Sequence, residues 1–153
     1  MSSKTKKNNR LVLLNGPNLN LLGERNREIY GAKTLPEIEK GLVARASKLG
    51  YELECFQTNS EGELIDRVQA LRTEAAGMLI NPGAFSHTSI ALRDALECFS
   101  GPIIEVHLSN IHRREPFRHH SYVSHVATGV ICGLGPQGYD MALDALVTML
   151  GKS

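Results

Sequence analysis

The chain has 153 residues, of which 42% are apolar, so it is long enough for one domain around a single hydrophobic core. A formal net charge of +1 gives no field that would favour nucleic acid or a membrane surface as a partner. Residues 1–10, MSSKTKKNNR, hold much of the basic excess and no apolar run. We therefore expect a disordered basic tail over residues 1–10 and a single domain over residues 11–153.

The cysteines and the lengths of the apolar runs bear on the compartment in which the chain works. Cys55, Cys98 and Cys132 are odd in number, far apart and set in apolar sequence, so we expect reduced thiols in the core rather than disulfides. No apolar run approaches the roughly 20 residues of a membrane span. These observations predict a cytoplasmic protein without a membrane partner.

Hydrophobic patterning predicts strands and helices that alternate along the chain. Residues 11–14 form an unbroken apolar run, which is typical of a strand buried on both faces. Thr34 and Glu37 form a capping box before a helix whose apolar stripe extends to Leu49, and Ser60 and Glu63 repeat the signal before a second helix. The predicted strands are residues 11–14, 51–56, 77–80, 102–106 and 126–132. The predicted helices have apolar stripes over residues 35–49 and 64–71, and further helices cover about residues 87–99 and 139–150.

The loop between the first strand and the first helix is rich in charged and amide side chains. Gly23 and Gly31 stand near its ends as candidate hinges, and Arg25 and Tyr30 lie between them. One interpretation is a lid that closes over a ligand and delivers charged groups to it. The other is a solvated surface connection, as most polar loops are.

Short connections between alternating strands and helices predict a parallel sheet with helices on both faces. The fold class is therefore α/β, and five strands favour a flavodoxin-like three-layer sandwich with the strand order 2-1-3-4-5. The carboxyl ends of the strands meet at one edge of such a sheet, and the side chains that follow them suit a carboxylate or phosphate ligand. These side chains are Asn15, Asn18, Asn81, His107, Ser109, Asn110, His112, Arg113, Arg114 and Arg118.

Two patterns suggest a cofactor, and neither fits its context. Residues 133–138 match G-x-G-x-x-G, but no strand follows with an acidic residue about 20 positions further on, so a tight turn that packs the last helix is favoured. The six histidines show no H-E-x-x-H spacing, the cysteines show no C-x-x-C spacing, and no lysine is placed for a Schiff base. We expect neither a metal nor a cofactor.

Glu105 and His107 are two residues apart on the fourth predicted strand, so their side chains share one side of it. A carboxylate beside an imidazole fixes the tautomer of the ring and favours its cationic form, which suits a general acid. A hydrogen-bonded core histidine is an equally frequent explanation of this spacing.

Closure of the lid would place arginines around Tyr30. Nearby cations stabilise a phenolate, so Tyr30 is a candidate base. The arginines are Arg25, Arg114 and Arg118. Together with the expected absence of a cofactor, these groups predict acid/base chemistry on a small, polar, anionic substrate.

Several motifs agree in order and spacing with one known family. They are NGPNLNLLG followed by Arg25 and EIYG, NPGAFSHTSIALRDAL from Asn81, EVHLSNIH from Glu105, FRHHSYVS, and ATGVICGLGPQGY. Over residues 11–150 the chain closely resembles the type II 3-dehydroquinate dehydratases. The resemblance implies a flavodoxin-like catalytic domain and a lyase that converts 3-dehydroquinate to 3-dehydroshikimate by anti elimination through an enolate. It also implies a homododecamer of four trimers, in the shikimate route to aromatic amino acids or in quinate breakdown.

The resemblance implies catalytic roles for five residues. Tyr30 resembles the base that removes the proton alpha to the ketone, and Arg25 resembles the lid residue that activates it. His107, oriented by Glu105, resembles the acid that protonates the departing hydroxyl. Asn18 resembles the residue that holds a water against the enolate oxygen.

Other positions match the groups through which the family binds its substrate. Arg114 matches a second cation close to the tyrosine, and Asp94 matches a residue that reaches the site of a neighbouring subunit. The groups that match contacts to the substrate hydroxyls and carboxylate are Asn81, His87, Arg118 and the backbone amides of Leu108 and Ser109.

The departure from the family in the lid and a rival function from another class both bear on this prediction. The common Arg-Glu-Pro of the lid is here Arg25-Asn26-Arg27, and the loss of the proline predicts a more mobile lid. The fold alone would equally permit a nucleotide- or flavin-binding module. The sequence disfavours that alternative, because it has no acidic residue placed for a ribose and no tryptophan to stack on a flavin.

Overall fold

The computed structural model describes residues 8–151, which form a five-stranded parallel sheet in the order β2-β1-β3-β4-β5. This sheet confirms the predicted fold class and strand order. Residues 1–7 of the expected tail lie outside the described residues, and the first strand begins at Arg10. The strands are β1 Arg10–Asn15, β2 Glu52–Gln57, β3 Gly77–Asn81, β4 Ile103–His107 and β5 Gly129–Cys132. The helices are α1 Arg27–Tyr30, α2 Leu35–Lys48, α3 Glu61–Leu71, α4 Phe85–Thr88, α5 Ile90–Glu97 and α6 Gln137–Gly151.

The core lies in two layers, one on each face of the sheet. Leu11 and Leu13 of β1 point into the layer formed with α2 and α6, and Val12 and Leu14 point into the layer formed with α3 and α5. Almost every residue of β1, β3 and β4 is buried. A strand covered on both faces can place polar groups only where it ends, so this burial sets the position of the polar edge.

Both predicted helix starts are present. Thr34 Oγ1 accepts a hydrogen bond from Glu37 N at 3.4 Å, and Ser60 Oγ accepts one from Glu63 N at 3.2 Å. The reciprocal contact differs in the first case, because the Glu37 carboxylate accepts from the Thr34 hydroxyl at 3.0 Å rather than reaching the backbone. Each cap satisfies an amide that the first turn of a helix leaves unpaired.

Three element boundaries differ from the predictions. The helix predicted at about residues 87–99 is two helices, because Ser89 is extended (φ −101°, ψ 97°) and its Oγ caps α5 by accepting from Leu92 N at 2.9 Å. The fifth strand starts at Gly129 rather than Val126, because Val126 N and Ala127 N donate to Val123 O in the turn that ends the 3₁₀ helix Val123–His125. Leu49, predicted on the buried stripe, follows the last residue of α2 and is 43% exposed.

The three cysteines are free thiols, but they are not core residues. Cys98 is exposed, and Cys55 and Cys132 are half-buried, so the expected core position is wrong. Burial, reinforced by Glu39, raises the pKa of Cys55 to about 12, which keeps this thiol protonated. Among residues 8–151, no helix combines the length and apolar content that a membrane crossing requires.

The G-x-G-x-x-G segment forms the turn between β5 and α6. Gly133 and Gly135 have φ values of 89° and 62°, which favour glycine. Gly133 N donates to His107 O at 3.2 Å, and Gly135 N donates to Leu108 O at 2.9 Å. The turn thus fastens the start of α6 to the end of β4, in agreement with the packing interpretation.

A close approach of two backbones fixes the edge where β1 and β3 end. Gly16 N donates to Asn81 O at 2.8 Å, and a Cβ on Gly16 would overlap the carbonyl oxygen of Pro82. The segment that follows β1 can therefore lie this close to the one that follows β3 only with a glycine at position 16.

We expect Gly16→Ala to lower the free energy of unfolding by about 2 kcal/mol, since backbone cannot yield as a side chain does. Gly41→Ala is the matched control, because a Cβ on this exposed residue of α2 meets no atom and should stabilise the helix by about 0.5–1 kcal/mol. Denaturant unfolding followed by circular dichroism measures both changes. Equal stability of the two variants would contradict the close approach.

Candidate active site

A cavity of about 200 Å³ opens at the carboxyl ends of β1, β3 and β4, as the topology predicts. Its size suits a small, single-ring molecule better than a dinucleotide. Of the residues that the resemblance places in the site, all but Glu105 and Asp94 line it, whereas Asn15, Asn110, His112 and Arg113 of the predicted polar edge do not. The predicted residues that line it are Asn18, Arg25, Tyr30, Asn81, His87, His107, Leu108, Ser109, Arg114 and Arg118.

The loop after β1 reaches the cavity through backbone conformations that its sequence makes accessible. Gly23 and Gly31 have φ values of 87° and 84°, and Asn26 has a φ value of 45°. Glycine and asparagine tolerate this left-handed region best. Between these points, Arg25 and Tyr30 lie on the cavity wall. The loop therefore contributes part of the cavity wall, although most of its residues are exposed.

Two guanidinium groups lie against Tyr30. Arg114 Nη1 donates to the phenolic oxygen at 2.7 Å, and its Cζ is 5.5 Å from the ring centroid. Arg25 Cζ lies 5.7 Å from the same centroid. Arg118, predicted beside them, lines the cavity elsewhere, and its Nε pairs with Glu115 Oε2 at 2.5 Å. The positive charge beside the phenol therefore comes from Arg25 and Arg114.

The predicted couple of Glu105 and His107 is present and buried. His107 Nε2 lies 2.5 Å from Glu105 Oε2, so the proton between them sits on the ring and the other nitrogen, Nδ1, is left for a ligand. Burial alone would raise the pKa of Glu105, but hydrogen bonds from His107, Ser121 and Ser124 outweigh it and hold this pKa below its usual value. The carboxylate therefore stays ionised behind the ring, which lines the cavity.

His87 is a second imidazole beside the first. Its Nδ1 lies 2.8 Å from His120 O, and a carbonyl accepts only, so Nδ1 carries the proton and Nε2 remains an acceptor. The ring stacks on His107 with 6.3 Å between centroids. Burial lowers the pKa of His87 despite that backbone bond. It is thus a neutral hydrogen-bonding group.

A buried tyrosine fixes the amide of Asn81. Asn81 Nδ2 donates to Tyr139 Oη at 2.9 Å, and Asn81 Oδ1 accepts from Gly83 N at 3.2 Å. Tyr139 Oη in turn donates to Asn15 Oδ1 at 2.6 Å. One N–H of Asn81 stays free for a ligand in the cavity. The amide therefore presents a donor there in one orientation.

Three further predicted residues have clear positions. Asn18 takes a left-handed conformation (φ 69°), held by a bond from its N to Asn59 Oδ1 at 2.9 Å, and its side chain faces the cavity. Leu108 and Ser109 directly follow β4 on the cavity wall. Asp94 lies outside this cavity, on α5, where its side chain is 62% exposed and pairs with Arg93 at 3.0 Å.

Sequence reasoning missed the residues that stand behind the cavity. Ser121 and Ser124 contact Glu105, and Tyr139 contacts Asn81. The serines lie in the motif FRHHSYVS, but no role was assigned to them from the sequence. The available signal was that a buried carboxylate requires hydrogen-bond donors. Tyr139 follows the glycine-rich turn, and its position in the pattern is that of an ordinary apolar residue on the buried face of a helix.

Histidines outside the cavity gather around a shallower one, but they do not form a metal site. His112, His119, His120 and His125 line that second cavity. Within residues 8–151, no group of three or more histidine, cysteine, aspartate or glutamate side chains has the arrangement to hold a metal ion.

Comparisons with known proteins agree on one family. The family model described as Dehydroquinase class II matches residues 9–147. The chain belongs to the class II dehydroquinases. The resemblance seen in its motifs is therefore confirmed.

Individual class II dehydroquinase relatives support this assignment. The 3-dehydroquinate dehydratase of Actinobacillus pleuropneumoniae serotype 5b is 57% identical over 143 residues, which cover 94% of this chain and 93% of the relative. The 3-dehydroquinate dehydratase 1 of Ralstonia nicotianae is 58% identical over 142 residues, 92% of this chain and 91% of the relative. The type II dehydroquinase crystal structure from Propionibacterium acnes superposes with a TM-score of 0.89 at 44% identity, covering 92% of this chain and 97% of that chain.

We expect Tyr139→Phe to lower the free energy of unfolding by about 1–3 kcal/mol, because it leaves the Asn15 and Asn81 amides buried without their partner. Tyr51→Phe is the control, since Tyr51 lies before the amino end of β2 and its hydroxyl makes no hydrogen bond in the described residues. Thermal unfolding compares the variants. If both lose the same stability, the tyrosine bridge contributes nothing.

Proposed function

We propose that the chain dehydrates 3-dehydroquinate to 3-dehydroshikimate by anti elimination through an enolate, without a metal or cofactor. The family and the names of its relatives support this activity, which makes the enzyme a lyase of the shikimate pathway. One observation carries the mechanism. A phenol with two arginines and an imidazole backed by a carboxylate line a single cavity.

Tyr30 is the proposed base. Its hydroxyl accepts from Arg114 Nη1 at 2.7 Å, and Arg25 adds a second positive charge near the ring. Both cations thus lie beside the phenol whose oxygen is proposed to remove the proton alpha to the substrate ketone. The enolate that results carries negative charge, which the same arginines stabilise.

His107 is the proposed acid. Glu105 is hydrogen-bonded to its Nε2, so Nδ1 is the nitrogen proposed to protonate the departing hydroxyl. The Glu105 carboxylate also fixes the orientation of the ring for that transfer. Asn18 is proposed to hold a water against the enolate oxygen, because its left-handed backbone directs the side chain to the cavity wall.

The remaining polar groups are proposed to bind the substrate. The neutral His87 and the fixed amide of Asn81 suit hydroxyl groups, since each offers a defined hydrogen-bonding atom. Arg118 and the backbone amides of Leu108 and Ser109 suit the substrate carboxylate. Binding through several such contacts favours 3-dehydroquinate over a neutral ring.

Assembly is a separate part of the proposal. We place Asp94 in the active site of a neighbouring subunit, within trimers that form a dodecamer. Its exposure on α5, away from the cavity of its own chain, supports this placement. Cytoplasmic action, in aromatic amino acid biosynthesis or quinate breakdown, is proposed with it.

Tyr30→Phe tests the function. Removal of the hydroxyl should reduce kcat at least about 100-fold and leave substrate binding within a few-fold, because the ring remains while the proton acceptor is lost. Formation of the conjugated enone, followed by ultraviolet absorbance, gives the rate, and Tyr51→Phe should keep full activity. Retention of about a tenth of the wild-type kcat by Tyr30→Phe would refute its role as the base.

Mixed oligomers test the shared site. Tyr30→Phe and Asp94→Asn chains are each expected to be impaired, the second through a higher KM. Random co-assembly should restore both residues in about one site in four if Asp94 serves a neighbour. A mixture of Tyr30→Phe with the Tyr30→Phe/Asp94→Asn double variant contains no intact tyrosine and sets the background. No recovery beyond the summed activities of the separate parents, with subunit exchange confirmed by mass, would place Asp94 within its own chain.

A further inference from the structure

The Glu105 carboxylate is held by two serines that no catalytic role yet includes. Ser121 Oγ donates to Glu105 Oε2 at 2.6 Å, and Ser124 Oγ donates to Glu105 Oε1 at 2.5 Å. With His107 also on Oε2, both carboxylate oxygens are engaged. The carboxylate therefore cannot rotate without breaking a charge-assisted hydrogen bond.

The direction of these bonds is also fixed. Ser124 N donates to Ser121 Oγ at 3.3 Å, so that oxygen is an acceptor toward the backbone and turns its own proton toward Glu105. A proton on Glu105 would remove the negative charge that strengthens these three hydrogen bonds. The serines therefore favour the ionised carboxylate as well as its orientation.

The segment that carries the serines is itself anchored to the site. Tyr122 N donates to Ser86 O at 2.8 Å, and Val123, between the serines, is fully buried in the core layer. The residue before Ser121 supplies the carbonyl that holds His87 Nδ1. The segment of residues 120–124 thus holds His87 directly, through a backbone carbonyl, and holds His107 indirectly, through Glu105.

We propose that Ser121 and Ser124 are positioning residues of the dehydration, which act through Glu105 to keep His107 aligned as the acid. Neither serine lines the cavity, so neither touches the substrate. Their contribution lies in kcat rather than in substrate affinity, because the alignment of an acid matters when the hydroxyl departs. The proposal rests on the proposed acid role of His107.

The first test separates positioning from folding. Ser121→Ala and Ser124→Ala should each lower kcat about tenfold and leave KM within about twofold. Ser60→Ala is the matched control, since it removes the hydroxyl that caps α3 far from the site and should lower only Tm. Ser124 is exposed, so its alanine variant should fold even if Ser121→Ala does not, and Ser124→Thr should restore most of kcat because the hydroxyl returns.

The second test is the pH profile of kcat. Loss of a donor makes the ionised Glu105 less favourable, so the acid limb should move to higher pH by about one unit in either alanine variant. His107 faces the carboxylate directly, His87 stacks on that ring, and Arg118 lies nearby on the cavity wall. These groups are unchanged in the variants, and Glu105→Gln, which cannot titrate, identifies the limb that belongs to Glu105.

The outcomes distinguish the positioning role of the serines from the acid role of His107 on which it rests. A lower Tm with unchanged kcat and acid limb in the serine variants, as in Ser60→Ala, would make the serines structural and overturn the proposal. His107→Ala tests the acid itself. If His107→Ala loses activity while the serine variants keep it, only the positioning role fails. If His107→Ala also keeps activity, the proposed acid is wrong.

Discussion

The register of three buried parallel strands determines where the chemistry of this protein is placed. Leu14 pairs with Ile80, and one step further Asn15 pairs with Asn81, so the apolar core gives way to polar side chains at the same level on two strands. On the third, Ile80 pairs with Glu105. A slip by one residue would turn each of these side chains to the opposite face of the sheet. The core and the site are therefore specified together.

Behind the cavity, defined hydrogen bonds hold most of the buried polar groups, although Asn15 Nδ2 has no partner among the described residues. Asn81 is held by Tyr139, and Glu105 is held by His107 and two serines. An unpaired polar group in such a place is costly, so each group has few acceptable orientations. The orientations of the Asn81 amide and the His107 ring are consequently fixed by hydrogen bonds to Tyr139 and Glu105 behind the cavity wall. This rigid wall contrasts with the exposed loop that closes the other side.

The fold was predictable from the sequence, because local patterns determine where its strands and helices begin and end. Apolar runs marked β1 to β4 within one residue, and the caps at Thr34 and Ser60 marked two helix starts. One of the errors came where a single side chain redirects the backbone. Ser89 breaks a continuous apolar pattern into two helices by capping the second one, and amphipathic periodicity does not register such a break.

The front of the site was also predictable, since residues after strand ends converge in a parallel sheet. The resemblance to the family then named residues that indeed line the cavity, such as Arg25 and Tyr30. The supports behind them were not predictable. Ser121 reaches Glu105 across 16 positions and Tyr139 reaches Asn81 across 58, and such pairings depend on tertiary packing that no local pattern encodes.

The loop after β1 bears both the proposed base and one of the cations beside it. Arg114 lies outside this loop, so a movement of the loop away from the cavity would separate Tyr30 from Arg114. With the loop away from the cavity, Tyr30 would lack the hydrogen bond from Arg114. In the proposed mechanism, the base and both neighbouring cations therefore come together only while the loop lies over the substrate, which keeps bulk water away from the intermediate.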